Sequence, residues 1–440
     1  MNFNLLPYQQ VLVTEFVNHA GRLLLHVDVG LGKTRTALAA AYTVKAERTL
    51  YVCPASIKEQ VKEEALKCGY DDTEVTVISV NQKQREGLWY EVNLLSGQHI
   101  AIVNYELLNS DITTVKSWNP DMIVIDECQR MGSSKNKIHK VLKELRPAFR
   151  IAMSGTPAPN ALHEFYPILS WVRPEVYGSN FFRWRALNCF MHPVIPGKIM
   201  GYYDQKKIRH DFSLYTLRLK RDAVLELPPL GHVTEYIELT KEEKAAYKKL
   251  KETLAIEMHG EEITVPNLLA LMLRLRQIVD TPQVFGETKP STKQQAFKDL
   301  LDRVFQGGMK RVIVFVVHKT AADALKSLYG GEVYDGSLSE SERTAVLNRF
   351  KTSEENAVIY MTAAGQVGLN ITEAQCVIHY QLPYTYAAIE QREGRVWRMG
   401  QTKGCIAYTL LATATVDINV KKIVEGKKSI TRDDLMEMFQ

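Results

Sequence analysis

Apolar, β-branched runs recur through the first part of the chain at residues 23–27, 49–52, 75–78, 100–103, 122–125 and 150–153, and polar or Ala-rich stretches of helical or turn character separate them. Short buried runs alternating with such stretches predict a doubly wound, parallel α/β sheet, whose ligands sit at the carboxyl ends of the strands. A second set, at 311–317, 358–361, 377–380 and 406–411, predicts a second sheet, and with it a two-lobed molecule. Between the sets, residues 241–257 read as a charged helix and 268–278 as an apolar one. The alternation breaks over 162–225, where Trp171, Tyr177, Phe181, Phe182, Arg183, Trp184, Arg185, Tyr202 and Tyr203 gather.

The first run leads into Val27-Asp28-Val29-Gly30-Leu31-Gly32-Lys33-Thr34, which opens an Ala-rich helix. That order predicts a phosphate-binding loop. Gly30 and Gly32 let backbone N–H groups face an anion, the helix start adds its positive dipole end, Lys33 reaches the β/γ-phosphates and the Thr34 hydroxyl holds Mg²⁺. Val27 stands where the usual pattern has its first Gly. Upstream, the amide of Gln9 is suited to donate to and accept from an adenine edge.

The run at 122–125 stops in Asp126-Glu127-Cys128-Gln129. Adjacent side chains diverge at such an end, so Asp126 is expected to share Mg²⁺ with Thr34 while Glu127 reaches an attacking water. Gln129 is expected near the γ-phosphate or Ser154-Gly155-Thr156. In the second half, Gln391-Arg392-Glu393-Gly394-Arg395-Val396-Trp397-Arg398 spaces Arg395 and Arg398 onto one helical face, where both guanidinium groups would meet the γ-phosphate.

Composition narrows the class without naming it. At 440 residues and 45% hydrophobic the chain is long enough for two or three cored domains, and a net charge of +5 permits a nucleic-acid partner. Cys53, Cys68, Cys128, Cys189, Cys376 and Cys405 form no C-x-x-C pair, which argues against a zinc ribbon or a disulfide framework and for a reducing compartment. The longest apolar run, 312–317, is too short to span a bilayer, so no membrane partner is expected. His163-Glu164-Phe165-Tyr166-Pro167 has Pro where a zinc-protease motif needs its second His, so no metal site is inferred there.

The order of motifs resembles helicase superfamily two, although its acidic box commonly continues Ala-His or Ala-Asp. The likeness narrows at Pro54-Ala55-Ser56-Ile57 with Glu64, at Asn104-Tyr105-Glu106, at residues 217–229 and at Arg274-Leu275-Arg276-Gln277 with Pro282. These are similar to the Snf-type (switch/sucrose non-fermenting) ATPases, as are Thr362-Ala363-Ala364-Gly365-Gln366-Val367-Gly368-Leu369-Asn370-Ile371-Thr372 and Gln391 through Gln401. The family's Trp after the Pro-x-Ser-Ile segment is replaced by Val61.

The resemblance implies two RecA-like lobes: 1–225 with a helical protrusion at about 162–225, a helical connection at 226–290, and 291–440 with a terminal bracing helix. The protrusion's aromatics would form a small core of their own. It further implies a DNA-dependent ATPase with ATP and Mg²⁺ as cofactors, double-stranded DNA as partner and a DNA-bound protein as a possible second one. Gln9, Gly30, Gly32, Lys33, Thr34, Gln129 and Gly368 would bind nucleotide, and Lys33, Asp126, Glu127, Arg395 and Arg398 would carry the chemistry. Tyr105, His318, Lys319 and Thr362 would touch the nucleic-acid backbone. A duplex translocase is the expected activity, with a strand-separating or annealing helicase and an ATP-gated protein-displacing clamp as alternatives. The resemblance fills the chain from Leu5 to about Phe439, so a monomeric, cytoplasmic, stand-alone bacterial or viral protein is expected, or a nuclear one in a eukaryote.

Overall fold

The computed structural model of the protein describes residues 3–79, 81–132, 137–158, 161–194, 196–257, 265–363 and 369–426. They fall into two compact units, Met1–Leu225 and Glu226–Gln440.

The first unit is built on β1 (Arg22–Val27), β2 (Arg48–Cys53), β3 (Val75–Val77), β4 (His99–Asn104), β5 (Met122–Asp126) and β6 (Phe149–Ser154), followed by a separate hairpin of β7 (Cys189–Met191) and β8 (Ile199–Tyr202), and then β9 (Thr216–Leu219). All but the hairpin form one parallel sheet in the order β3-β4-β2-β5-β6-β1-β9. Leu23, Leu24 and Leu25 are at most 1% exposed, as expected of a strand covered on both faces. Alternate residues Leu24, Leu50, Ala101, Ile123 and Ala152 lie in one apolar cluster. The Lys33–Thr43 helix buries its small residues Ala37, Ala39, Ala40 and Ala41, so it can lie close to neighbouring backbone.

Residues 162–225 depart from expectation in two ways. β9 pairs in parallel with β1, Leu24 opposite Thr216 and Val27 opposite Leu219, so this stretch returns to the main sheet. Trp171 and Tyr166 of the Phe165–Val172 helix are buried in the unit's own core, and Phe181, Trp184, Tyr202 and Tyr177 pack against that same core instead of forming a second one. The Trp171 indole N–H donates to the Leu142 carbonyl at 3.2 Å, which gives this buried ring its polar partner.

In the second unit β10 (Leu230–Ile237), β11 (Arg311–Phe315), β12 (Glu332–Tyr334), β13 (Ala357–Met361), β14 (Cys376–His379) and β15 (Cys405–Ala412) form a parallel sheet in the order β10-β15-β14-β11-β13-β12. β10 falls within the stretch expected to be purely helical. It is an edge strand with exposed Gly231, His232 and Val233, so it carries no apolar run to announce it.

A cluster of buried charge ties this unit together. Lys293 Nζ lies 2.7 Å from Asp280 Oδ1 and 2.6 Å from Asp417 Oδ2, and Arg276 Nε lies 3.6 Å from Asp417 Oδ1. Burial raises both carboxyls; Lys293 and Arg276 together hold Asp417 below the usual range, whereas Asp280 remains raised. The cations come from the Val265–Asp280 and Thr292–Gln306 helices, and Asp417 comes from the Val416–Glu425 helix. Among the described residues all six cysteines are buried and unpaired, and no helix is long and apolar enough to cross a membrane.

Candidate active site

The loop after β1 needs glycine at two positions. Gly30 and Gly32 have φ of +90° and +69°, and a Cβ on Gly32 would meet Gln9 Nε2 at 2.3 Å. Val27, the departure from the usual pattern, is an ordinary β1 residue paired with Leu219, so its place demands no glycine. Lys33 Nζ donates to the Val27 carbonyl at 3.0 Å and the Asp28 carbonyl at 3.3 Å, which places its cation inside the loop.

Gln9 is 1% exposed. Its Oε1 accepts from Leu6 N–H at 2.9 Å and its Nε2 donates to the Leu31 carbonyl at 3.2 Å. Both ends of the amide expected to meet adenine are thus engaged within the chain, and Gln9 shapes the loop directly.

Asp126 ends β5 and is 6% exposed. The Tyr51 hydroxyl donates to Asp126 Oδ2 at 3.2 Å. Of the expected metal ligands, Asp126 is thus held by a hydroxyl from β2, and Thr34 lies in the first turn of the helix that follows the loop. Burial, and secondarily the Glu127 charge, push the Asp126 carboxyl up to about 7, against the opposing pull of Lys33. Two hydroxyls and a carboxylate beside a lysine form the all-oxygen donor set that suits Mg²⁺ with phosphate, so these residues fit both groups.

Glu127 adopts φ +56°, uncommon for a side chain of its size, which turns the chain sharply after Asp126. Tyr105 secures that turn: its hydroxyl donates to the Asp126 carbonyl and, at 3.1 Å, to the Glu127 carbonyl. At 1% exposed, Tyr105 has no surface for a nucleic-acid backbone, and the structure corrects that expectation to a role beneath the acidic pair.

A relay continues from there. Gln129 Nε2 donates to Glu127 Oε2 at 2.7 Å, Ser154 Oγ donates to Gln129 Oε1 at 2.6 Å, and Thr156 N–H donates to Ser154 Oγ at 2.9 Å. Of the two directions open to Gln129, the structure has it bridging the acidic turn and the loop after β6.

In the second unit the Tyr386–Glu393 helix ends before Arg395, so the two arginines do not share a helical face. Gly394 closes the helix and the chain turns, yet both guanidinium groups converge on one acceptor. Arg395 Nη1 and Arg398 Nη1 donate to the Leu369 carbonyl at 2.9 and 3.1 Å. Arg395 is 2% exposed. Thr362, at 9% exposed, directly follows β13 with its N–H on the Tyr334 carbonyl, while Lys319 is exposed and its Nζ lies 2.5 Å from Asp335. His318 is half-buried, and burial pushes its imidazole down to about 4. Gly368 lies outside the described residues.

Gln381 went unnoticed in the sequence. Its Oε1 accepts from the Val317 and His318 N–H groups at 2.7 and 3.2 Å, and its Nε2 donates to Asp280 Oδ2 at 2.7 Å. Its carbonyl accepts from Arg392 at 2.8 Å. The buried charge cluster is thereby connected both to the His318 loop and to the arginine segment.

A model of the SNF2-related domain matches residues 8–284, and one of the helicase conserved C-terminal domain matches 292–400. The chain belongs to the SNF2-related family. Relatives of this SNF2-related chain include a chromodomain-helicase-DNA-binding protein 1-like of Mus musculus, 25% identical over 93% of the chain and 47% of the relative. A putative ATP-dependent helicase/translocase of Bacillus subtilis, YwqA, is 25% identical over 92% and 45%. The chain spans about half the length of these curated relatives or less. Among solved structures it is similar to the Sulfolobus solfataricus SWI2/SNF2 ATPase core in complex with dsDNA, with 24% identity, a TM-score of 0.46, and 96% and 91% of the two chains covered. The two matched models give the SNF2-related chain the two-part organisation of a helicase-like ATPase family.

Proposed function

We propose that this chain hydrolyses ATP with Mg²⁺ and uses the cycle to track along double-stranded DNA without separating its strands, remodelling DNA or displacing bound protein. The observation that supports this most directly is the hydrogen-bonded run from Tyr51 to Asp126 and Glu127, and on through Gln129 to Ser154 and Thr156. It joins the acidic pair and the next strand end into one unit, with the Lys33 charge of the phosphate loop acting on the Asp126 carboxyl.

In this reading Lys33 leaves its two loop carbonyls for the β/γ-phosphates, and Thr34 and Asp126 would hold Mg²⁺, which would supply positive charge against that developing on the transferred phosphoryl group. Glu127 orients and deprotonates the attacking water, kept in place by the Gln129 amide. Gln9 acts on the nucleotide through the loop it shapes. Arg395 and Arg398 stabilise transition-state charge. His318, Lys319 and Thr362 are the proposed contacts to phosphates of the duplex, giving binding that falls with salt and varies little with base sequence.

ATPase rates measured in parallel with duplex DNA, single-stranded DNA and RNA test the assignment. Stimulation by duplex is expected, together with displacement of a third strand from a DNA triplex. Lys33→Ala should lose ATP binding, whereas Glu127→Gln should retain binding and lose turnover. Stimulation by RNA alone, or near wild-type turnover in Glu127→Gln, contradicts the reading.

A further inference from the structure

The aromatics between Trp171 and Phe212 divide into two sets. Phe181, Trp184 and Phe212 stack inward, with ring centroids 6.0 and 5.8 Å apart. Phe182, Phe190 and Tyr203 instead face solvent, exposed by 57%, 45% and 67%. Exposing one large ring is ordinary; exposing three within 22 residues, with Val194 and Met200 also open, is a feature to explain.

The rings are held in place. Phe190 lies across the backbone of Gly201, where a Cβ would meet its ring at 2.3 Å, and its centroid is 6.0 Å from that of Tyr203. Tyr203 N–H donates to the Asn188 carbonyl, which pins it to the end of the Phe181–Asn188 helix. The Arg185 guanidinium sits 5.2 Å from the Phe182 ring and beside the hairpin turn at Gly197. Glycine at 201 is what lets the Phe190 ring lie flat with its outer face open.

Charge supplies the second observation. Residues 181–210 contain six Lys or Arg and one acid, a net of +5, equal to the formal charge of the whole 440-residue chain. The rest of the protein is therefore balanced. Arg183, Lys206, Lys207 and Arg209 are exposed, and no ion pair neutralises them among the described residues.

We propose that the β7–β8 hairpin and its flanking helices bind single-stranded nucleic acid, with Phe190 and Tyr203 stacking on unpaired bases and Lys206, Lys207 and Arg209 meeting the phosphates. Open ring faces can take up only bases whose own faces are free, so a single strand fits where a duplex, its bases already stacked, does not. Aromatic faces interleaved with unneutralised cations are the chemistry of a sequence-tolerant single-strand platform. The site goes beyond duplex tracking and stands without it.

The test is binding of a single-stranded oligonucleotide carrying 2-aminopurine, without ATP, over a range of salt. Wild-type protein should bind it and quench the probe, and an excess of unlabelled duplex of equal length should leave the quenching in place. Lys206→Glu with Arg209→Glu should weaken binding at least ~10-fold and flatten the dependence of log K on log salt by about 1.4, as loss of two phosphate contacts would. Tyr203→Ala, at an exposed position, should weaken it roughly 5- to 150-fold with loss of quenching, the effect of one lost stacking partner. Lys33→Ala should bind the oligonucleotide as wild type does, which separates this site from the nucleotide loop. Unchanged affinity in both surface variants overturns the proposal. So does equal binding of a poly-glutamate peptide that is lost in the same variants, since an acidic protein would then be the occupant. Duplex-stimulated ATP turnover, measured on the same preparations, reports on the tracking function and not on this site.

Discussion

Tyr105 and Asp126 show how much of the acidic turn rests on groups that never touch substrate. With the Tyr105 hydroxyl gone, the Asp126 and Glu127 carbonyls lose a buried donor, and the φ +56° conformation of Glu127 loses the restraint that favours it. Tyr105→Phe should therefore slow turnover on the order of 10-fold while leaving duplex affinity and its salt dependence unchanged; a fall in duplex affinity instead would return this residue to the nucleic-acid surface. Asp126 gives a pH-dependent effect. Its folded-state value of about 7 exceeds the ordinary 3.8, so the native state holds the proton more tightly, and stability is lost as pH rises between those values. Asp126→Asn removes the buried charge. The nucleotide-free variant should have a higher Tm than wild type at pH 8, with the difference closing towards pH 4, although turnover is abolished. Equal Tm at pH 8 would mean that Asp126 is solvated, not desolvated.

At the scale of elements, the Lys293 cluster joins two consecutive helices to a third far along the chain, since the Lys293–Asp417 contact spans 124 residues. Lys293→Met leaves Asp280 and Asp417 buried without their shared cation, and breaking such a pair costs about 3–5 kcal/mol. Hydrogen exchange should quicken in the Thr292–Gln306 and Val416–Glu425 helices while amides of β1 keep their protection; unchanged exchange in those helices would show the cluster to be dispensable. The same distance explains what the sequence conceals. Gly30 to Lys33 and Asp126-Glu127 were legible because anion and metal chemistry dictates residue types in local order. Tyr51 reaches a partner 75 residues away, and Gln381 joins segments 63 and 101 residues away, so no spacing rule finds them. The central strands were legible from burial on both faces. β9 and β10 were not, because an edge strand half in solvent reads as a loop or a polar stretch. The arginine segment misled for a related reason: a spacing of three suits a helix, but Gly394 ends the helix first.

At the scale of the whole molecule, the phosphate loop lies in the first compact unit and Arg395 and Arg398 in the second. As the proposed transition-state residues, Arg395→Ala and Arg398→Ala should each keep ATP and duplex binding and lose duplex-stimulated turnover by ~10³-fold or more, because the charge they would meet develops only in the transition state. Brisk turnover in both variants would exclude that role. The two units also differ in their thiols. Burial raises every cysteine, Cys68, Cys189 and Cys405 to about 11 and Cys376 to about 12, so the folded chain presents almost no thiolate to an alkylating reagent near neutral pH. Cys53, Cys68, Cys128 and Cys189 belong to the first unit and Cys376 and Cys405 to the second. A brief pulse of iodoacetamide during unfolding therefore writes the order of events into the mass of the intact chain: four adducts where the first unit has opened alone, two where the second has.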